Sequence, residues 1–332
     1  MNITIFKWQT IAMLAAGISM SLGSAAWGQN LYQTHTDGTI WQYTGTPCKG
    51  AVCSGWVELD DNPELKMIAV GGGALYELHQ NGSIWGYVGP ACSGNVCPGW
   101  VELDNNPNAT AIGVGGNLLY EEHTDSSLWE YTGTPCSGGV CPGWIELIDN
   151  WNLSTCCESF VAGANLLFAQ WSDGSLFQYT PDSLVQITGS AGAREFTVGA
   201  GGLYIIMDPG VYQYTGTPYM FQLIDYQSPT KYIVAGGSLY QQHNDQSVWR
   251  YTGKPCNLSG DCPGWQEIDA NKTVQWIVAG SSTVYEQRSS PRVPNSIWQY
   301  TGKPCKKKVC SGWVKLDENP DTKSLVADGA MF

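Results

Sequence analysis

Seven copies of one unit, four short β-type runs in each full copy and no sustained helical periodicity predict an all-β fold, a single seven-bladed β-propeller. Aligning the chain on the dipeptide Leu-Tyr and its variants gives unit starts at Leu31, Leu75, Leu119, Leu167, Leu203, Leu239 and Val284, spaced by 44, 44, 48, 36, 36 and 45 residues. A unit of that size cannot bury its apolar face alone and does so against its neighbours, so 332 residues reduce to one domain.

In the unit from Leu75 the four runs are "LYELH" (75–79), "SIWGYV" (83–88), "GWVELD" (99–104) and "TAIGVGG" (110–116). They are rich in β-branched and aromatic residues and are separated by Asn-Gly, Asp-Gly, Pro-Cys or Asn-Pro turn signals. The first copy opens at "LYQTH" without a preceding "IxVGG" run, and the chain ends on "SLVADGAMF", which supplies one. The last strand is therefore expected to join the first blade and close the ring. Met331-Phe332 then aligns with the slot of Leu31-Tyr32, so the termini overlap slightly.

Residues 1–28 carry Lys7, the apolar core "IAMLAAGISMSLG" and small residues before a cut in "SAAWGQN", the pattern of a secretory signal, which leaves 29–332 as the propeller. No later stretch approaches eighteen consecutive apolar residues, so a secreted protein without membrane insertion is expected. Cysteine usage fits that compartment. Ten of the twelve form local pairs, Cys48 with Cys53, Cys92 with Cys97, Cys136 with Cys141, Cys256 with Cys262, and Cys305 with Cys310. Structural zinc needs four ligands together, whereas these pairs stand about a repeat apart, so disulfides are expected, each adding ~2 kcal/mol by stiffening a turn. The units from Leu167 and Leu203 lack the cysteine loop. Cys156 and Cys157 are adjacent, a strained geometry for a bond between them. The net charge of −13, or −14 without Lys7, argues against nucleic acid as a partner, and Lys306 to Lys308 read as a solvated turn.

The candidate chemistry is binding. His35, His79, His123 and His243 all occupy the fifth position of the "LYxxH" run, where the other units have Trp171, Met207 and Arg288. Residues related by a ring's rotation stand too far apart to form a dyad or a metal site among themselves. Each histidine is then either a half-buried bridge between strands or a polar contact to a ligand. Asp60, Asp104, Asp269 and Asp317 close the "W-x-x-[LI]-D" run and lead into Asx-Pro turns, with no acid standing apart from the repeat as a glycosidase pair would. The Asp-box spacing fails in "HTDGTIW", and no calcium loop, nucleophile elbow, zinc helix or phosphate loop occurs. No enzyme, cofactor or metal is expected.

What recurs is aromatic. Trp41, Trp85, Trp129, Trp249 and Trp298 are each followed two residues on by Tyr43, Tyr87, Tyr131, Tyr251 and Tyr300, on the same strand face. A second series, Trp56, Trp100, Trp144, Trp265 and Trp313, follows the cysteine loop and suits blade-to-blade packing as well as a ligand wall. An aromatic wall beside Gln, His and Asx groups suits a sugar, whose C–H face lies on the ring while its hydroxyls take directed hydrogen bonds.

The segments "IAVGGGALYELHQNGSIWGYVG" (68–89) and "GWVELDNNP" (99–107), with their copies, resemble tectonin and tachylectin-like propellers, and more closely the seven-bladed lectins of the Photorhabdus type, which bind fucose and related sugars. The resemblance implies sugar pockets on or between blades. It gives wall roles to the first Trp series and its Tyr partners, and polar roles to His35, His79, His123, His243 and Arg288. The disulfide loops, and Phe177 and Tyr212 in place of tryptophan, depart from that pattern. The expected partners are glycans on cell surfaces or glycoproteins, with a homo-oligomer of the chain also compatible. A scaffold or adhesion propeller with a wholly structural set of aromatics, and an enzyme sited in the central channel, are the rival readings. Five consecutive units keep both tryptophans, which gives five sites if each lies within a blade and four if both neighbours must be intact.

Overall fold

The computed structural model describes residues 30–148, 159–163, 166–180, 183–190, 192–199, 201–226, 229–257, 259–291, 293–307 and 309–328. The signal segment, Cys156-Cys157 and Met331-Phe332 lie outside the described residues. Twenty-eight strands among the described residues form seven four-stranded antiparallel sheets. Blade 2 gives the plan, with strand a at Leu65–Gly71, b at Ala74–His79, c at Ile84–Tyr87 and d at Trp100–Asp104, hydrogen-bonded in that order. Blades 3 to 7 occupy 109–148, 159–186, 195–226, 230–269 and 274–317. Blade 1 joins Leu31–His35, Ile40–Tyr43 and Trp56–Asp60 to Thr322–Ala327 as its strand a, so the C-terminal strand closes the ring as the sequence predicts.

Antiparallel order puts all b–c turns and d–a connections at one end of the ring, the Asx face, and all a–b hairpins and c–d loops at the other, the cysteine face. The blades stack face to face. Tyr32, Ile40 and Leu59 of blade 1 pack on Leu65, Ile68 and Leu75 of blade 2, while Tyr43 and Trp56, on the opposite face of blade 1, pack on Ile297 and Leu316 of blade 7. Leu59 and Ile40 are fully buried, worth ~1.5–3 kcal/mol apiece. The glycines that end strand a follow from crowding at the axis. A Cβ on Gly71 would stand 2.6 Å from Val114 Cγ1, and one on Gly115 2.7 Å from Ala162 Cβ.

All five local cysteine pairs are bonded, with Cα–Cα distances of 4.0–4.2 Å. Their hairpins also clasp the preceding blade, because the amides of Cys48, Cys92, Cys136, Cys256 and Cys305 donate to the carbonyls of Lys315, Glu58, Glu102, Leu223 and Glu267 on strand d of that blade. Strand d is the open edge of each sheet, so the hairpin covers backbone that would otherwise offer a template for pairing. Blade 5 has no cysteines in its c–d loop yet keeps an equivalent clasp, Tyr219 N–H to Ile187 O at 3.1 Å.

Candidate binding site at the blade junctions

The b–c turn builds the first constellation. In blade 1, Asp37 Oδ1 accepts the Thr39 amide at 3.0 Å and its hydroxyl at 2.8 Å, an Asx turn. With its one proton spent on Asp37, the Thr39 oxygen accepts from Trp41 Nε1 at 2.9 Å and from His35 Nδ1 at 3.1 Å. His35 therefore turns a bare Nε2 toward Asn319 Nδ2 of blade 7, 3.3 Å away. Its ring stacks on Trp41 at 5.6 Å, and burial pushes its pKa down, keeping it neutral. Blade 2 repeats this with Asn81, Ser83, Trp85, His79 and Asn62, and blade 3 with Asp125, Ser127, Trp129, His123 and Asn106. In blade 6, His243 stacks on Trp249 at 5.4 Å, and in blade 7 the Arg288 guanidinium lies 4.3 Å over the Trp298 ring. The expected His and Trp pairs thus meet, with their polar atoms committed inside the protein. The Ser or Thr hydroxyl that joins them escaped the sequence reading, although its repeat two residues before each Trp was the available signal.

The Trp face of each blade points to the blade before it. The second tryptophan series fastens that contact, since Trp56, Trp100, Trp144, Trp265 and Trp313 donate Nε1–H to the carbonyls of Leu316, Leu59, Leu103, Ile224 and Ile268 at 2.8–3.0 Å. Each also lies 5.1–5.3 Å from the strand c tyrosine of its own blade, as Trp265 does from Tyr251. The blade-packing alternative holds for this series.

Beneath each His lies a buried polar pair across the junction. Gln33 Nε2 donates to Asp317 Oδ2, and Gln241 Nε2 to Asp225 Oδ2, both at 2.9 Å. At the 6/7 junction Arg288 bonds Glu286 and, at 3.0 Å, Asp269. At 1/2 and 2/3, Glu77 and Glu121 meet His79 and His123 at 2.9 and 3.0 Å. Burial pushes Glu77 up to about 7, opposed by His79 and reinforced by Asp60. Glu121 and Glu286 are raised by burial as well. Burial pulls His123 down, but the bond to Glu121 and the charges of Glu121, Asp125 and Asp104 outweigh it, so His123 ends above its usual value. Blade 4 has Ala169 and Trp171 at these positions, and blade 5 has Ile205 and Met207, so their cores are apolar.

Open space lies on the cysteine face. A 480 Å³ cavity at the 5/6 junction is lined by Tyr204, Gln213 and Gln222 of blade 5 and by Ser238, Arg250 and Tyr251 of blade 6. Its 250 Å³ counterpart at 6/7 lies between Tyr240 and Arg250 on one side and Gln299 and Tyr300 on the other. Arg250 lines both, donating Nη2 to Ser238 Oγ at 3.2 Å while its buried Nε has no partner. Of the expected site residues, Tyr251 and Tyr300 border these cavities. The larger of these two draws on blade 5, which lacks the tryptophans on which the count of four or five sites rests. The 6/7 cavity lies between two blades that keep both tryptophans.

No family model and no curated protein matches the chain. Among solved structures it is similar to Prp20p of Saccharomyces cerevisiae, at 9% identity over 87% of this chain and 86% of that one, with a TM-score of 0.54. It is also similar to human WBSCR16, at 10% identity over 82% and 89%, with a TM-score of 0.52. At such identities the likeness shows the propeller fold alone.

Proposed function

We propose that this chain is a secreted, polyvalent carbohydrate-binding protein that captures neutral sugars, fucose or a related monosaccharide, in the grooves between blades and performs no chemistry on them. One observation carries the reading: the 5/6 and 6/7 grooves pair a tyrosine from each neighbouring blade with the polar side chains of Gln213, Gln299 and Arg250, the last shared by both. The tyrosines, 2–8% exposed, contribute only narrow apolar strips to the groove lining, and the amides and guanidinium offer directed donors. Repetition around a ring gives weak single sites avidity toward a glycosylated surface. The central channel, lined by Val70, Val114, Val198, Ala235 and Ala279, has one carboxylate among its described lining residues, Asp328, which favours binding over channel chemistry.

A protein-binding scaffold is the second reading. Val52, Val96, Val140 and Val309 stand 64–68% exposed at equivalent positions of the cysteine hairpins, an apolar set on one face. The structure of Prp20p is described with its binding to Gsp1p and histones, and that of yeast RCC1 (Prp20) with Kap60 bound. A glycan array with free-sugar competition separates the readings. Binding that free sugar displaces, and that Arg250→Ala weakens roughly 5–30-fold by removing a donor shared by two grooves, is the expected result. Retention on deglycosylated protein with no effect of free sugar would replace this reading with the scaffold.

A further inference from the structure

The junctions on the Asx face answer one electrostatic problem in three ways. An aspartate near the end of strand d of one blade packs against the strand b residue that lies two before the His position in the next. Where that residue is glutamine, its amide donates to the aspartate, as Gln33 does to Asp317 and Gln241 to Asp225. Where it is Glu286, the Arg288 guanidinium supplies a cation that bonds both carboxylates. Where it is Glu77 or Glu121, two buried carboxylates face each other beside an imidazole, and the backbone amides of Asn62 and Asn106 donate to Asp60 and Asp104 at 3.1 Å. Glu77 is 2% exposed and Glu121 1%, and Oε2 of each lacks a hydrogen-bond partner, as does Oε2 of Glu286, whose charge Arg288 nevertheless balances through Oε1. Leaving such an oxygen bare in a low-dielectric interior is costly.

At the 1/2 junction, ligand atoms of Asp60, Glu77 and His79 all lie within 4.8 Å of one another. Atoms bound to one Zn²⁺ at ~2.1 Å lie at most ~4.2 Å apart, a separation that small side-chain rotations reach. The imidazole is already prepared as a ligand. Ser83 Oγ gives its proton to Asn81 Oδ1 at 2.8 Å and so receives Nδ1–H of His79 at 3.2 Å, which fixes the tautomer and turns the Nε2 lone pair toward Glu77. Two carboxylates and an imidazole nitrogen are a donor set suited to a first-row divalent ion.

We propose that a divalent cation of the zinc class binds Asp60, Glu77 and His79 at the 1/2 junction, taking the place that the Arg288 guanidinium fills at 6/7; at 2/3, the ligand atoms of Asp104, Glu121 and His123 do not all come within 4.8 Å of one another. The ion replaces the proton held between His79 Nε2 and Glu77 Oε1, which is released to solvent. It ties strand d of one blade to strand b of the next, with water at the fourth position that three protein ligands leave open. It is independent of the sugar reading, since the grooves open on the opposite face.

The test uses the purified full chain, stripped with chelator and titrated with Zn²⁺ alone, with bound ions counted by native mass spectrometry and Tm followed in parallel. One ion per chain and a raised Tm are expected. Glu77→Gln copies the arrangement of blades 1 and 6, so it should fold, keep its Tm without metal, bind no ion and show no response to Zn²⁺. Glu121→Gln, at the 2/3 junction, should still bind one ion. His79→Arg, copying blade 7, should lose the ion while holding its Tm. Overturning results are a wild-type chain that takes up no Zn²⁺, leaving a shared proton as the answer at this junction, or a Glu77→Gln variant that still binds the ion.

Discussion

Glu195, on strand a of blade 5, carries an isolated charge problem of its own. Burial pushes its carboxyl up to about 7 despite the Ile233 amide that donates to Oε1 at 3.0 Å. The unfolded chain gives up that proton near the ordinary glutamate value, while the folded chain keeps it until about pH 7. The folded state binds more protons across this window, so its stability falls as pH rises through it and levels off above. Glu195→Gln keeps an oxygen for Ile233 and never ionises, so its Tm should lose less than wild type between about pH 5 and about pH 8. Parallel profiles for the two proteins would mean that the carboxyl is solvated after all. At this scale the sequence was only half legible. The repeat marked His35, Trp41 and their copies as special, but both the bracketing hydroxyl of Thr39 and the partner Asn319, nearly the whole chain away, depend on contacts that periodicity does not encode.

The b–c turn is the element where one residue type is best matched to its backbone. Gly38 and Gly82 hold φ of 94° and 87° there, whereas Ser126 and Gln246 hold 66° and 72° at the same position. A side chain in this left-handed region costs ~1–2 kcal/mol. Gln246 adds a buried Oε1 without a hydrogen-bond partner. Gln246→Gly should therefore stabilise the protein by about 1 kcal/mol, once the greater entropy of glycine in the unfolded chain is set against the relieved strain. Denaturant unfolding with an unchanged m-value and a higher midpoint is the expected outcome, and a lower midpoint would show that the amide makes a contact of value. Strand boundaries were legible because β-type runs alternate with Asx-Gly and Asx-Pro turns. The reach of the cysteine hairpins was not, since a local pair such as Cys92–Cys97 carries no sign that its amide will close on Glu58 of the blade before.

Across the whole molecule, the number of units, their four strands and the closing role of the last strand followed from the repeat, because stacking of like units is the only way such short sheets bury both faces. Which junction would open into a groove did not follow, since it depends on how Arg250 and the tyrosines of two different units come together. Closure is the point where the ring depends on few groups. Asp328 stands just beyond the C-terminal strand; its amide donates to Asn30 O at 2.9 Å, its carbonyl accepts Ser281 N–H at 2.8 Å, and its Oδ2 accepts the Gly73 amide at 2.9 Å and Asn30 Nδ2 at 3.3 Å. One carboxylate thus links blades 1 and 2 to the end of the chain at the channel mouth. Asp328→Ala keeps the backbone bonds and loses those of the carboxylate, a cost of about 1–3 kcal/mol, tempered by removal of the buried Oδ1 that has no partner. The loss should be local before it is global, because the closing strand is held by pairing rather than by a covalent link. Hydrogen exchange in Asp328→Ala should accelerate in 31–43 and 322–327 and stay unchanged in blade 4, across the ring. Uniform acceleration would mean that the seven blades open as one cooperative unit with no weak seam, and unchanged exchange would mean that strand pairing alone closes the ring.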